Sequence, residues 1–175
     1  MKSYVIYTAL AVLALVAPTA ADAYEVKSHQ TWQVNETTTL YAIEFSFGHG
    51  THDFYIPTST SRNQAWGTDN KTVGYEILED SQTVSNDGAS IGMITSNAEV
   101  ADDGLYYIPK GTNETFTLYV ALTLPDDAPE ADYAMAVSDL PFYRNDDREY
   151  LRLNPSELNY YQTDEVEFNS SNPSK

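Results

Sequence analysis

The chain of 175 residues contains no cysteine. That removes disulfide bonds, thiolate metal ligands, cysteine nucleophiles and a lipid-modified cysteine anchor, and it leaves packing, with or without metal ions, to stabilise the fold. Basic residues are scarce as well: nine Lys and Arg face 26 Asp and Glu, for a formal charge of -17 and a pI near 4.2. An acidic surface with no basic stripe excludes nucleic acid and anionic lipid as expected partners. Beyond Tyr24 no apolar run approaches the roughly twenty residues that cross a bilayer, so no membrane insertion is expected there. No segment after Tyr24 sustains an apolar stripe at helical spacing. A Leu-Pro-x-Thr-Gly sorting signal is also missing, and with it the expectation of covalent wall attachment.

What the chain does have begins with Lys2, an apolar run from Val5 to Val16, and Ala21-Asp22-Ala23. A basic start, a short apolar segment and small residues at alternate positions read as a secretory signal peptide over 1–23, cut before Tyr24. Residues 24–168 then form one domain, long enough to bury a core without staples, and 169–175 form a disordered polar tail. The expected location is secreted, extracellular or at the cell surface, with the periplasm also open.

Alternation dominates this domain. From Thr115 to Leu124, Phe116, Leu118, Val120, Leu122 and Leu124 share one face while Thr115, Thr117, Tyr119 and Thr123 share the other. Thr39 to Phe47 repeats the pattern with Tyr41, Ile43, Phe45 and Phe47 inward. Shorter strands are expected over 24–34, 52–56, 73–78, 90–95, 105–108, 133–140, 149–153 and 165–168, separated by turn groups such as Gly48-His49-Gly50 and Asp102-Asp103-Gly104. Ser156 to Tyr161 can form one helical turn after Pro155. The expected fold is all-β: a two-layer antiparallel sandwich of about eight or nine strands. The loop from Thr58 to Thr72 is the longest unpatterned segment, and loops of that length tend to carry function.

The stretch Tyr107-Ile108-Pro109-Lys110-Gly111-Thr112-Asn113-Glu114-Thr115-Phe116-Thr117-Leu118 resembles an element of bacterial immunoglobulin-like surface domains, in which a glycine turn leads into an alternating Phe-Thr-Leu strand. A later tyrosine-containing strand such as Asp132 to Val137 closes the sheet in that family. The resemblance covers Leu105 to Leu140. It implies an immunoglobulin-like extracellular module for binding or structure, with no catalytic residues to carry over; the Cys and Trp pairing of antibody-type domains is missing. Gly48-His49-Gly50-Thr51-His52 resembles the His-Gly-Thr-His segment of subtilisin-like proteases, which would make His49 a general base. No Gly-Thr-Ser-Met-type nucleophile segment follows it, and a triad is defined by geometry.

Several constellations remain as ligand candidates. His49, His52 and Asp53 offer transition-metal ligands, although alternation sends His52 and Asp53 to opposite faces. Carboxylates crowd the turns, and Asp102, Asp103, Asp126 and Asp127 are the candidate calcium ligands, since calcium accepts many oxygens in irregular geometry. The fourteen tyrosines include the doublets Tyr106-Tyr107 and Tyr160-Tyr161, in each of which one ring should face inward and one outward. Trp66, Tyr106 and Tyr161 are the candidate stacking residues for a ligand, with Trp66, in the long loop, the best placed to meet a sugar. No catalytic residues are assigned. The expected function is that of an exported, non-enzymatic surface protein acting in adhesion or surface assembly, with a protein or glycan surface or copies of itself as partner. Tyr24 to Val34 would then either add to a neighbour's open edge or serve as the domain's own first strand. A carbohydrate- or calcium-binding module and a small secreted hydrolase are the alternatives.

Overall fold

A computed structural model of the chain describes residues 23–84, 88–126, 128, 130–145 and 147–168. Residues 1–22 of the leader expected over 1–23, the calcium candidate Asp127 and the tail over 169–175 lie outside the described residues. The protein is all-β, built from several antiparallel sheets. Its strands are β1 (Ala23–Gln33), β2 (Thr38–Gly48), β3 (Phe54–Pro57), β4 (Thr60–Arg62), β5 (Val73–Glu79), β6 (Gln82–Val84) and β7 (Ala89–Ser96). They continue with β8 (Glu99–Val100), β9 (Leu105–Ile108), β10 (Asn113–Thr123), β11 (Ala131–Asp139), β12 (Pro141–Arg144), β13 (Glu149–Arg152) and β14 (Val166–Phe168). One helical turn, α1 (Pro155–Leu158), interrupts them.

The strands assemble in the orders β1-β2-β10-β7, β14-β11-β5-β4 with β6 on β5, and β13-β12-β3-β9-β8. The period-two reading fixes their inner faces. Tyr41, Ile43 and Phe45 on β2 and Phe116, Leu118, Val120 and Leu122 on β10 are fully buried. They join Tyr75 and Ile77 from β5, Tyr133 and Met135 from β11, and Phe54, Ile56, Ile108 and Phe142 from the third sheet in one continuous core. Aromatic rings knit the layers together: Phe45 stacks on Phe116 at 5.5 Å, and Phe47 meets Phe142 edge-on at 4.9 Å. Burying such side chains contributes on the order of 1.5–3 kcal/mol each, which is how a chain without disulfides is held.

Among the described residues there are fourteen strands where a sandwich of eight or nine was expected: ten fall on the segments read from the sequence, and β4, β6, β8 and β12, of two to four residues, carry no readable alternation. One ladder is parallel: β4 inside the long loop pairs with β5 in the register Thr60↔Val73. The sequence Tyr-Ile-Pro occurs twice, at Tyr55-Ile56-Pro57 and Tyr107-Ile108-Pro109, and the two copies lie side by side, with Tyr55 of β3 opposite Tyr107 of β9. β1 pairs with β2 of its own chain along its length, with a register shift between Val26 and Ser28. This bulge inverts the strand's phase: Tyr24 and Val26 pack on the core opposite Phe47 and Phe45, whereas Ser28, Gln30 and Trp32 oppose the outward residues Glu44, Ala42 and Leu40. The helical turn begins at Pro155, one residue before the expected start, with Pro at the first helical position and the Asn154 N–H donating to Glu157 Oε2 at 2.7 Å.

Candidate functional site

The long loop after β4 is held by two buried polar side chains. Gln64 is its hub: Nε2 donates to the carbonyls of Asp69 and Thr72 at 3.3 Å each and to Asp139 Oδ2 at 3.2 Å, while its Oε1 accepts from the Thr72 hydroxyl. Asp139, fully buried at the end of β11, also receives the Gly67 N–H at 3.2 Å and the Arg152 guanidinium at 2.9 Å. Three donors on one carboxylate oxygen anchor the loop to β11 and β13 at once. Between Ala65 and Thr68 the chain makes a tight turn, closed by Thr68 N–H to Ala65 O at 3.2 Å. Gly67 supplies the φ of +83° that this turn requires, and a Cβ there would stand 3.2 Å from Arg152 Nη1.

This turn projects Trp66. The indole N–H donates to Leu153 O at 2.9 Å, and the Arg152 guanidinium lies 5.1 Å from the ring centroid, yet the side chain remains 46% exposed. An indole so tethered pays little further ordering entropy when a ligand stacks on it. Trp66 stands at the lip of a groove of about 450 Å³ on the outward face of β5 and β11. Leu78 and Ala136, both apolar, form the floor with Ser138, and Glu76 and Thr83 close one end, joined by a 2.8 Å hydrogen bond. Asn63, Gln64 and Trp66 line one wall; Pro155, Leu158, Asn159 and Gln162 line the other. With the Gln64 amide committed within the loop, the side-chain amides of Asn63, Asn159 and Gln162 beside the indole can donate to and accept from hydroxyl groups while the ring takes up a flat C–H face. Among the described residues lining the groove Glu76 is the one carboxylate, so the two-acid arrangement for glycoside cleavage is not assembled there.

A second aromatic element abuts the first. Tyr150, Tyr143, Tyr55 and Tyr107 occupy directly opposed positions across β13, β12, β3 and β9. Tyr55 and Tyr107 stack at 5.1 Å, Arg148 lies 3.2 Å over the Tyr55 ring, and Arg152 bridges Tyr150 and Trp66 at 4.9 and 5.1 Å. Burial, with Asp69 nearby, raises the pKa of the Tyr143 hydroxyl, which donates to Asn70 O at 2.9 Å. The arginines are paired to acids: Arg144 to Glu149, Arg148 to Asp103 and Arg152 to Asp139. The row therefore carries little uncompensated positive charge.

Of the expected stacking residues, Trp66 is at the site, whereas Tyr106 and Tyr161 are the inward members of their doublets. Ile108 in the core sets the frame of β9, so Tyr106 packs edge-on against Phe116 and Tyr107 faces outward. Tyr161 is buried against Phe45, while Tyr160 is exposed. The calcium candidates do not converge: Asp103 accepts from Leu105 N–H in its own turn and pairs with Arg148, while Asp102 and Asp126 are exposed in separate turns. Among the described residues no group of three His, Asp or Glu side chains is placed to hold a metal ion. His52 Nδ1 lies 2.9 Å from Asn145 Oδ1, Asp53 accepts from Tyr107 and from Lys110 N–H, and His49 is exposed with φ of 66°. These three are committed to turns and sheet edges.

Sequence reasoning missed the amide walls, because Asn63, Asn159 and Gln162 come from distant loops and have no motif. Among the described residues no helix is long and apolar enough to cross a membrane. Comparison of the chain with protein-family models, curated proteins and solved structures finds no match in any of the three.

Proposed function

We propose that this chain is an exported, non-enzymatic adhesion module with an immunoglobulin-like two-layer β-sandwich fold, holding an uncharged polysaccharide at the cell surface through the Trp66 groove. The leader pattern over 1–23 supports export, and a core shared by inward faces of all the sheets supports the sandwich. The observation that carries the ligand class is the tethered, half-exposed indole beside amide side chains over a Leu78 and Ala136 floor. A net charge of -17 disfavours anionic glycans and leaves neutral ones.

The test is affinity electrophoresis of the purified chain in gels containing neutral polysaccharides, with Trp66→Ala and Tyr160→Ala alongside. Retardation by at least one polymer, weakened at least tenfold (about 1.4 kcal/mol) in Trp66→Ala and unchanged in Tyr160→Ala, is the expected result. Absence of retardation across such polymers, or retardation indifferent to Trp66, refutes the reading.

A further inference from the structure

The outward face of the β1-β2-β10-β7 sheet lies on the opposite side of the core from the Trp66 groove. Its cross-strand register builds apolar rungs: Trp32, Leu40, Ala121 and Ile91 in one row, and Gln30, Ala42, Tyr119 and Met93 in the next. Ile91 is 77% exposed and Met93 57%. Trp32 joins them only because the bulge at Lys27 turns the second half of β1 outward. In a chain with 26 acidic residues, the neighbouring rung Ser28, Glu44, Thr117 and Thr95 brings one carboxylate to this face, and the rung beyond it brings Glu25, which is paired to Lys27 at 2.5 Å.

We propose that this face docks against the same face of a second copy, forming an isologous dimer. Charge is the first argument. Two copies at -17 each repel, and a surface that brings copies together must be poor in carboxylates; the two apolar rungs hold none. A partner recognised by opposite charge would instead be met on the acidic surfaces elsewhere. Area is the second. Four strands about 4.8 Å apart and rungs about 6.7 Å apart give a footprint of roughly 20 Å by 20 Å, about 800 Å² over the two copies before side-chain relief is added, the size of a weak, reversible contact. Shape is the third, because outward residues of paired sheets interdigitate at about 10 Å separation, and the small Ala42 and Ala121 beside Trp32, Tyr119 and Ile91 supply hollows and knobs. The dimer stands independently of the glycan reading; if both hold, the two grooves face away from each other and one dimer grips two strands.

Sedimentation of the purified chain over the micromolar range should show a monomer–dimer equilibrium that tightens as salt rises, since screening reduces repulsion between like-charged copies. Ile91→Asp/Met93→Asp should weaken it at least tenfold, and Ile91→Thr/Met93→Gln provides the same reading if the charged variant loses its β circular dichroism. Tyr160→Asp, equally exposed but beside the helical turn, should leave the dimer unchanged. A monomer at every concentration, association indifferent to the β7 substitutions, or association loosened by salt overturns the proposal.

Discussion

Asp139 and Arg152 set the cost of disturbing the Trp66 loop. The carboxylate is fully buried and its Oδ2 serves Arg152, Gln64 and Gly67 together, so removing one partner leaves an uncompensated charge and a loop with fewer anchors. Asp139→Ala or Arg152→Ala should destabilise the fold by about 3–5 kcal/mol in urea unfolding, against well under 1 kcal/mol for Arg144→Ala in its exposed pair with Glu149. Equal costs for Arg152 and Arg144 would mean that the buried pair is not the anchor. Little of this was legible in the sequence. Trp66 was picked out by its loop, but Asp139 read as one acid among 26, because its burial depends on a partner thirteen residues on in a different strand. The tyrosine doublets show the same limit: alternation required one ring in and one out, and only the core position of Ile108 told which.

Individual strands were legible in proportion to their length and alternation. β2, β9 and β10 fall within a residue or two of their expected bounds, whereas β12 was not expected: the strand over 133–140 was ended at Leu140, and Pro141 followed by only three strand residues offers no alternation to read. Packing between sheets can be tested at Gly92 of β7, whose missing side chain makes room for Tyr75 of β5: a Cβ there would lie 2.4 Å from Tyr75 Cε1. Tyr75 is buried and donates to or accepts from Ser90, so it has little room to yield. Gly92→Ala should cost about 1–3 kcal/mol by calorimetry, partly relieved in Gly92→Ala/Tyr75→Leu, while Gly104→Ala, with open space around its Cβ, should show only the strain of its positive φ. Full additivity in the double variant would place the strain elsewhere.

The whole molecule should respond to pH at both ends of the scale. Burial works to raise the Glu157 pKa, but hydrogen bonds from the Tyr24 hydroxyl and Asn154 outweigh it and hold the carboxyl below its ordinary 4.5. Its contribution is therefore complete above about pH 4.5 and is lost as pH falls through the depressed value. Tyr41 and Tyr161 are raised by burial, and secondarily by neighbouring Tyr133 for the first and Tyr24 for the second, so stability is intact below pH 10.0 and declines above it. Melting temperatures across pH should trace a plateau with falling limbs. Tyr24→Phe should blunt the acid limb, and tyrosinate absorbance from the two buried rings should appear only as the fold opens; full titration of every tyrosine in the folded protein would contradict this. The bulge at Lys27 has its own consequence for descent. Lys27 is the one residue left over between Val26↔Phe45 and Ser28↔Glu44, so loss of its codon would close the ladder into unbroken alternation with Trp32 still opposite Leu40, and a lineage could iron out the kink in a single mutational step while keeping its sociable outer sheet.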